Sequence, residues 1–134
     1  MNLPLSDTFS ALERSVLSLM LDSRDEPFVS IAAQLAYATV GSREFTGVGG
    51  YTNIAVQPDA PFYGTLSDAQ IGGVCGKHPH LQTAACFILF VRGGRVSVLE
   101  FVTADDAWPS DQELFTLSLI HAQPNVASSE PGSK

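Results

Sequence analysis

Cys75, His78, His80 and Cys86 form a C-x2-H-x-H-x5-C series in which every member is a zinc-ligand type. The spacing matches no standard zinc pattern, and Pro79 holds the loop extended, which points alternate side chains apart. Cys86 also falls within the apolar run Ala84 to Val91, where a thiol behaves as a small hydrophobe. Ordinary loop and core roles are therefore expected, with a Cys75–Cys86 disulfide and a metal site as alternatives. No metal and no cofactor are predicted.

Carboxylates at Glu44, Glu100, Asp105, Asp106, Asp111 and Glu113 are the candidates for acid–base work. Such work needs a desolvated carboxyl whose pKa rises, and Glu100, inside Val98-Leu99-Glu100-Phe101-Val102, is the best placed of them. It alternates with Leu99 and Phe101, so a solvent-facing ion pair with Arg43, Arg92 or Arg95 is the expected role. For covalent catalysis the sequence offers no G-x-S-x-G elbow, and His121 stands alone late in a strand-like segment. Gly47-x-Gly49-Gly50 lies between two strand-like segments with no helix behind it, so it reads as a turn and not as a phosphate cradle. No catalytic residue is predicted, and enzymatic activity is the lesser expectation.

The segment Ala104 to Glu113 places Asp105, Asp106, Asp111 and Glu113 around Trp108, the only tryptophan of the chain. An aromatic anchor ringed by charge suits a docking surface for a basic partner. The competing role for Trp108 is to plug the edge of the core while the acids are merely solvated.

The elements that must position these residues divide the chain. Residues 8–22 read as a helix whose apolar stripe, widened by Leu17 and Leu21, spans about half its circumference. Ser6 or Asp7 can cap it, and Ser10 with Glu13 has capping-box spacing one turn further in. After the polar break at 22–26, Pro27 opens a shorter helix carrying Phe28, Ile31, Ala32 and Leu35. Strands are predicted at 37–46, 50–57, 66–74, 84–92, 95–103 and 114–121, with Gly93-Gly94 joining two of them in a tight hairpin. The run at 84–91 is expected to be a central strand covered on both faces. The predicted fold is α+β, an N-terminal helical hairpin packed on a mainly antiparallel sheet of five to six strands. Residues 1–122 form one globular domain, followed by a flexible tail at 123–134.

Composition narrows the function classes. The chain has 134 residues, 7 Lys+Arg against 14 Asp+Glu and a formal net charge of −7, which argues against binding a phosphate backbone. It carries no apolar run long enough for a membrane span, no basic leader and only two cysteines, so a cytoplasmic location is expected. The negative surplus is uneven: 105–113 holds four acids and no base, and 22–26 holds three acids and one arginine.

Arg43-Glu44-Phe45-Thr46-Gly47-Val48-Gly49-Gly50, together with Leu99-Glu100-Phe101 leading through Asp105-Asp106 to Trp108-Pro109, resembles a group of small uncharacterised bacterial proteins. That group shares an R-E-F-T-G-x-G turn and an acidic stretch ending Trp-Pro; Gly50 stands where an aromatic is expected. The resemblance implies a bacterial source and a shared fold, and it carries no activity or site residue. The leading expectation is a small acidic protein-binding domain, most concretely an immunity protein that occludes a basic toxin. Asp105, Asp106, Asp111 and Glu113 would steer association and Trp108 would anchor it. One alternative is a ligand-binding or enzymatic domain, with a pocket between the helices and the sheet and Glu44, Glu100 or His78 at its mouth. Another is a homodimeric accessory protein, in which a twin covers the wide stripe of the first helix. Monomer and homodimer are both compatible with the sequence.

Overall fold

The computed structural model describes residues 5–61, 68–104 and 106–120, and the backbone of 124–125. Helix α1 spans Ala11–Met20 and starts later than its apolar periodicity predicts. The capping box one turn in is the true start: the Ser10 hydroxyl accepts from the Glu13 N–H at 3.1 Å, and the Glu13 carboxylate accepts from the Ser10 N–H at 2.7 Å. The preceding turn is tied across the helix start by the Arg14 guanidinium, which donates to the carbonyls of Leu5, Ser6 and Phe9. Helix α2 is short, Phe28–Gln34, and a single 3-10 turn at Leu35–Tyr37 leads from it into the sheet. The N-terminus is thus one helix followed by a short one. Helix α1 packs on β3 and β6 and α2 on β5, where β3 is Asp68–Lys77, β5 is Arg95–Val102 and β6 is Thr116–Leu119.

The remaining strands are β1 (Ala38–Phe45), β2 (Gly49–Val56), β4 (Ala85–Arg92) and the two-residue β7 (Pro124–Asn125). They pair antiparallel in the order β1-β2-β5-β4-β3-β6, with β7 also on β3, so the fold is α+β. Gly93 and Gly94, at φ 59° and 79°, make the expected β4–β5 hairpin turn. The buried amide of Gln34 pins α2 to that hairpin, donating to the Gly94 carbonyl at 2.6 Å and accepting from the Val96 N–H at 2.9 Å. Within the expected tail, β7 is the only described part. His121 and Asp105 lie outside the described residues. No helix among the described residues is long and apolar enough to cross a membrane.

One face of the sheet makes the core, through Ile71, Val74, Phe87, Leu89, Leu99 and Phe101 packed against Val16, Leu17, Met20 and Leu21. Strand β4 is central as expected but is not covered on both faces. Ala85, Phe87, Leu89 and Val91 are buried, whereas Ile88 and Phe90 are half-buried and Cys86 is exposed. A continuous apolar run cannot reveal this, because it looks the same whether its second face meets a helix or only neighbouring side chains. Leu17 and Leu21 are fully buried within the chain, so the wide stripe of α1 needs no twin to cover it.

Candidate functional site

The segment after β5 crosses the core face and is clamped at both sides. The Thr103 N–H donates to the Val48 carbonyl and the Trp108 N–H to the Gly47 carbonyl, both at 2.8 Å, which ties the segment to the β1–β2 turn. On the other side, the Gln82 N–H donates to the Asp106 carboxylate at 2.9 Å, and His78 reaches the Asp111 carbonyl at 2.8 Å. Because that carbonyl only accepts, and the His80 N–H bonded to the other ring nitrogen only donates, the proton of His78 sits on Nε2. His78 is therefore a buried loop brace with both nitrogens occupied, and its ring packs against Phe115 and His80.

These clamps turn Trp108 inward. Its ring lies 4.8 Å from Phe101, 5.1 Å from Phe115 and 6.1 Å from Phe87, centroid to centroid, in tilted and edge-on contacts. The indole thus joins an aromatic cluster at the edge of the core; it does not stand out as a surface anchor. Asp106 is occupied as a loop brace, while Asp111 and Glu113 are exposed and belong to neither ion pair among the described residues.

Between this cluster and α1 lies a cavity of about 120 Å³, walled by Leu12, Val16, Phe45, Phe87, Leu99, Phe101 and Trp108. Ser10, Glu13, Arg43 and Gln112 supply its polar lining. Among the described residues, the Nε1 N–H of Trp108 is the buried side-chain polar atom left without a hydrogen-bond partner. Phe45, Trp108 and Gln112 also border a shallower groove that runs past Gly47, Gly49 and Pro109.

Glu13 is the charged centre of the site and is only 6% exposed. One carboxylate oxygen accepts from Ser10 N–H and Arg43 Nη2, each at 2.7 Å; the other accepts from Arg43 Nε at 2.8 Å and the Thr52 hydroxyl at 2.7 Å. Burial pushes this carboxyl up, but the bonds from Arg43, Thr52 and Ser10, with the charge of Arg43, outweigh burial and hold it below its ordinary value. A carboxylate kept ionised by four donors is a poor proton donor or acceptor at neutral pH. Its arrangement fixes the cavity wall, linking α1 to β1 and β2.

The pocket between helix and sheet therefore exists, with different polar residues from those the sequence offered. Glu44 is exposed and bonds Asn53, Glu100 lies on the open sheet face opposite Ile88 and Tyr51, and Arg43 pairs with Glu13, not with Glu100. Glu13 had a legible signal. It shares the buried face of α1 with Val16, Leu17 and Met20, and a carboxylate on an apolar stripe demands a partner. Cys86 is a correction: it is exposed and directly opposite Cys75 in the β3–β4 register, both thiols free. At Gly50, where the resemblance leads one to expect an aromatic, a Cβ would collide with the Glu44 carbonyl and the Phe101 ring, so Phe101 fills that space from the neighbouring strand. No family model, curated protein or solved structure matches this chain, so a functional reading rests on this geometry.

Proposed function

We propose that the chain binds a small, neutral, ring-sized ligand bearing a carbonyl in the aromatic cavity beside Trp108. The observation that carries this reading is a cavity walled mainly by aromatic and aliphatic side chains, beside an indole whose buried N–H has no partner. An unsatisfied buried donor costs about 1–3 kcal/mol, and a ligand carbonyl that the indole shifts to meet would remove that cost. Size limits the enclosed part to a single ring at most, since the apolar cavity that accepts benzene is somewhat larger, at roughly 150 Å³, and the carbonyl substituent would point towards the groove. Charge does too: Glu13 and Arg43 already neutralise each other, so an ionic ligand would be desolvated with little return. The groove bordered by Phe45, Trp108 and Gln112 is the approach.

Benzamide serves as the probe, with benzoate as its charged counterpart. Because Trp108 is the only tryptophan, one indole N–H resonance reports on the site. Benzamide is expected to shift that resonance saturably and to bind at least about fivefold tighter than benzoate, the loss expected when a charge is buried without a new partner. In Trp108→Phe its affinity should fall by about fivefold, the worth of one buried hydrogen bond. An indole resonance unmoved by saturating benzamide would refute the reading.

A second reading keeps the acidic surface. Asp111 and Glu113, exposed beside the groove, with Asp22, Asp25 and Glu26, would steer a basic protein onto this face, as an immunity protein in a bacterial cytoplasm does to a toxin. Exchange of Asp106, Asp111 and Glu113 for amides would then slow association and flatten its salt dependence. Unchanged association kinetics with a purified basic partner would remove this reading.

A further inference from the structure

On the open face of the sheet, away from the cavity, Cys75 of β3 and Cys86 of β4 are direct cross-strand partners. Directly opposed residues of an antiparallel pair hold their Cβ atoms at about 4.5–5.5 Å, a short adjustment from the spacing of a disulfide. The two are not bonded to each other here, with Cys86 exposed and Cys75 half-buried. Beside them β3 carries a bulge between Ile71 and Val74, filled by Gly72 and Gly73, and these two residues without side chains border a groove of about 300 Å³ that both cysteines also line. Gly73 has φ 95°, so the bulge conformation favours glycine there.

We propose that Cys75 and Cys86 form a dithiol–disulfide site that exchanges with small-molecule disulfides of the glutathione class, which enter along the Gly72–Gly73 groove. The exposed Cys86 reacts first. Its thiolate attacks one sulfur of the oxidant RSSR, forming a Cys86–SR mixed disulfide and releasing RS⁻, which takes up the proton Cys86 lost. Cys75 then loses its proton and attacks Cys86 Sγ, expelling the second RS⁻ and closing the cross-strand bond. In sum, two thiols and one RSSR give one protein disulfide and two RSH, a two-electron oxidation of the protein matched by reduction of the oxidant. Burial, then the charge and hydrogen bond of Cys86, push the Cys75 thiol up, which is consistent with Cys86 as the attacking group and Cys75 as the resolving one.

The ring closed by this bond contains His78 and Gln82, the braces of the segment that carries Trp108. Oxidation therefore stiffens the loop on which the candidate cavity leans, although the redox site itself does not depend on what the cavity binds.

The test uses the reduced full chain and oxidised glutathione, followed by alkylation and intact-mass analysis. The expected product is a monomer lighter by two hydrogens, with no alkylated thiol and a Cys75–Cys86 cross-linked peptide. Cys75→Ser should stop at a single glutathionyl group on Cys86, and Cys86→Ser should react at Cys75 at least about tenfold more slowly. Cysteines this close in sequence also pair in an unfolded chain, so the equilibrium constant for ring closure is measured in native buffer and in urea. A native value at least about tenfold higher is expected from the register. A native value no higher than that in urea, two stable glutathionyl adducts, a disulfide-linked dimer, or Cys86→Ser reacting as fast as wild type would overturn the proposal.

Discussion

Replacement of Glu13 tests whether one carboxylate joins α1 to the sheet. In Glu13→Ala four donors lose their acceptor: Ser10 N–H, two from Arg43 and the Thr52 hydroxyl. Breaking a buried ion pair costs about 3–5 kcal/mol; the Arg43 side chain is 33% exposed, so water recovers part of its solvation and a loss near 3 kcal/mol is expected. Glu13→Gln keeps one accepting oxygen but turns an amide NH2 towards two of the donors, so about 2 kcal/mol is expected. Urea unfolding at neutral pH reads both as lower midpoints, by about 2 M and 1 M if the slope is unchanged at about 1.5 kcal/mol/M. The pH dependence separates charge from shape. The folded carboxyl lies below its ordinary value of 4.5, so its bonds contribute fully above that value and are lost as pH falls through the folded value. Wild type should therefore lose stability in that acid window, and Glu13→Gln should lose less of it. A Glu13→Ala protein within about 1 kcal/mol of wild type, or a Glu13→Gln protein with the full acid loss, would refute the reasoning.

Other positions give further tests. Gly50→Ala drives a Cβ into the Glu44 carbonyl and to 2.9 Å from Phe101 Cζ, so it should cost more than about 3 kcal/mol, whereas Gly41→Ala, whose Cβ meets only the Asn53 carbonyl at 3.6 Å, should change stability by less than about 1 kcal/mol. Equal unfolding midpoints for the two would show that strand β2 can move aside. Gln34→Leu leaves the Gly94 carbonyl and Val96 N–H buried without partners, and a loss of about 3 kcal/mol, near 10 °C in Tm, is expected by calorimetry. A loss below about 1 kcal/mol would mean that water reaches the hairpin.

What the sequence made legible was local. The Gly93-Gly94 hairpin follows from two residues that must take positive φ, and the capping box follows from Ser10 and Glu13 at fixed spacing. The α+β class follows from periodicity changing once along the chain. The site was not legible in the same way, because its residues meet only through the sheet order. Arg43 and Glu13 are joined because Arg43 of β1 reaches the start of α1, and Phe45, Phe87 and Phe101 come from strands β1, β4 and β5, brought together only by the order β1-β2-β5-β4. Trp108 shows where the two kinds of information part. Four acids nearby in sequence made it look like an exposed anchor, yet the backbone bonds to Gly47 and the braces at Gln82 and His78 decide which way its ring turns. Those bonds involve main-chain atoms on at least one side, so side-chain pattern could not announce them. The residue singled out for its surroundings in sequence is still a residue that lines the cavity, and its own packing moves the chemistry from the acids near it in sequence to the indole among Phe87, Phe101 and Phe115.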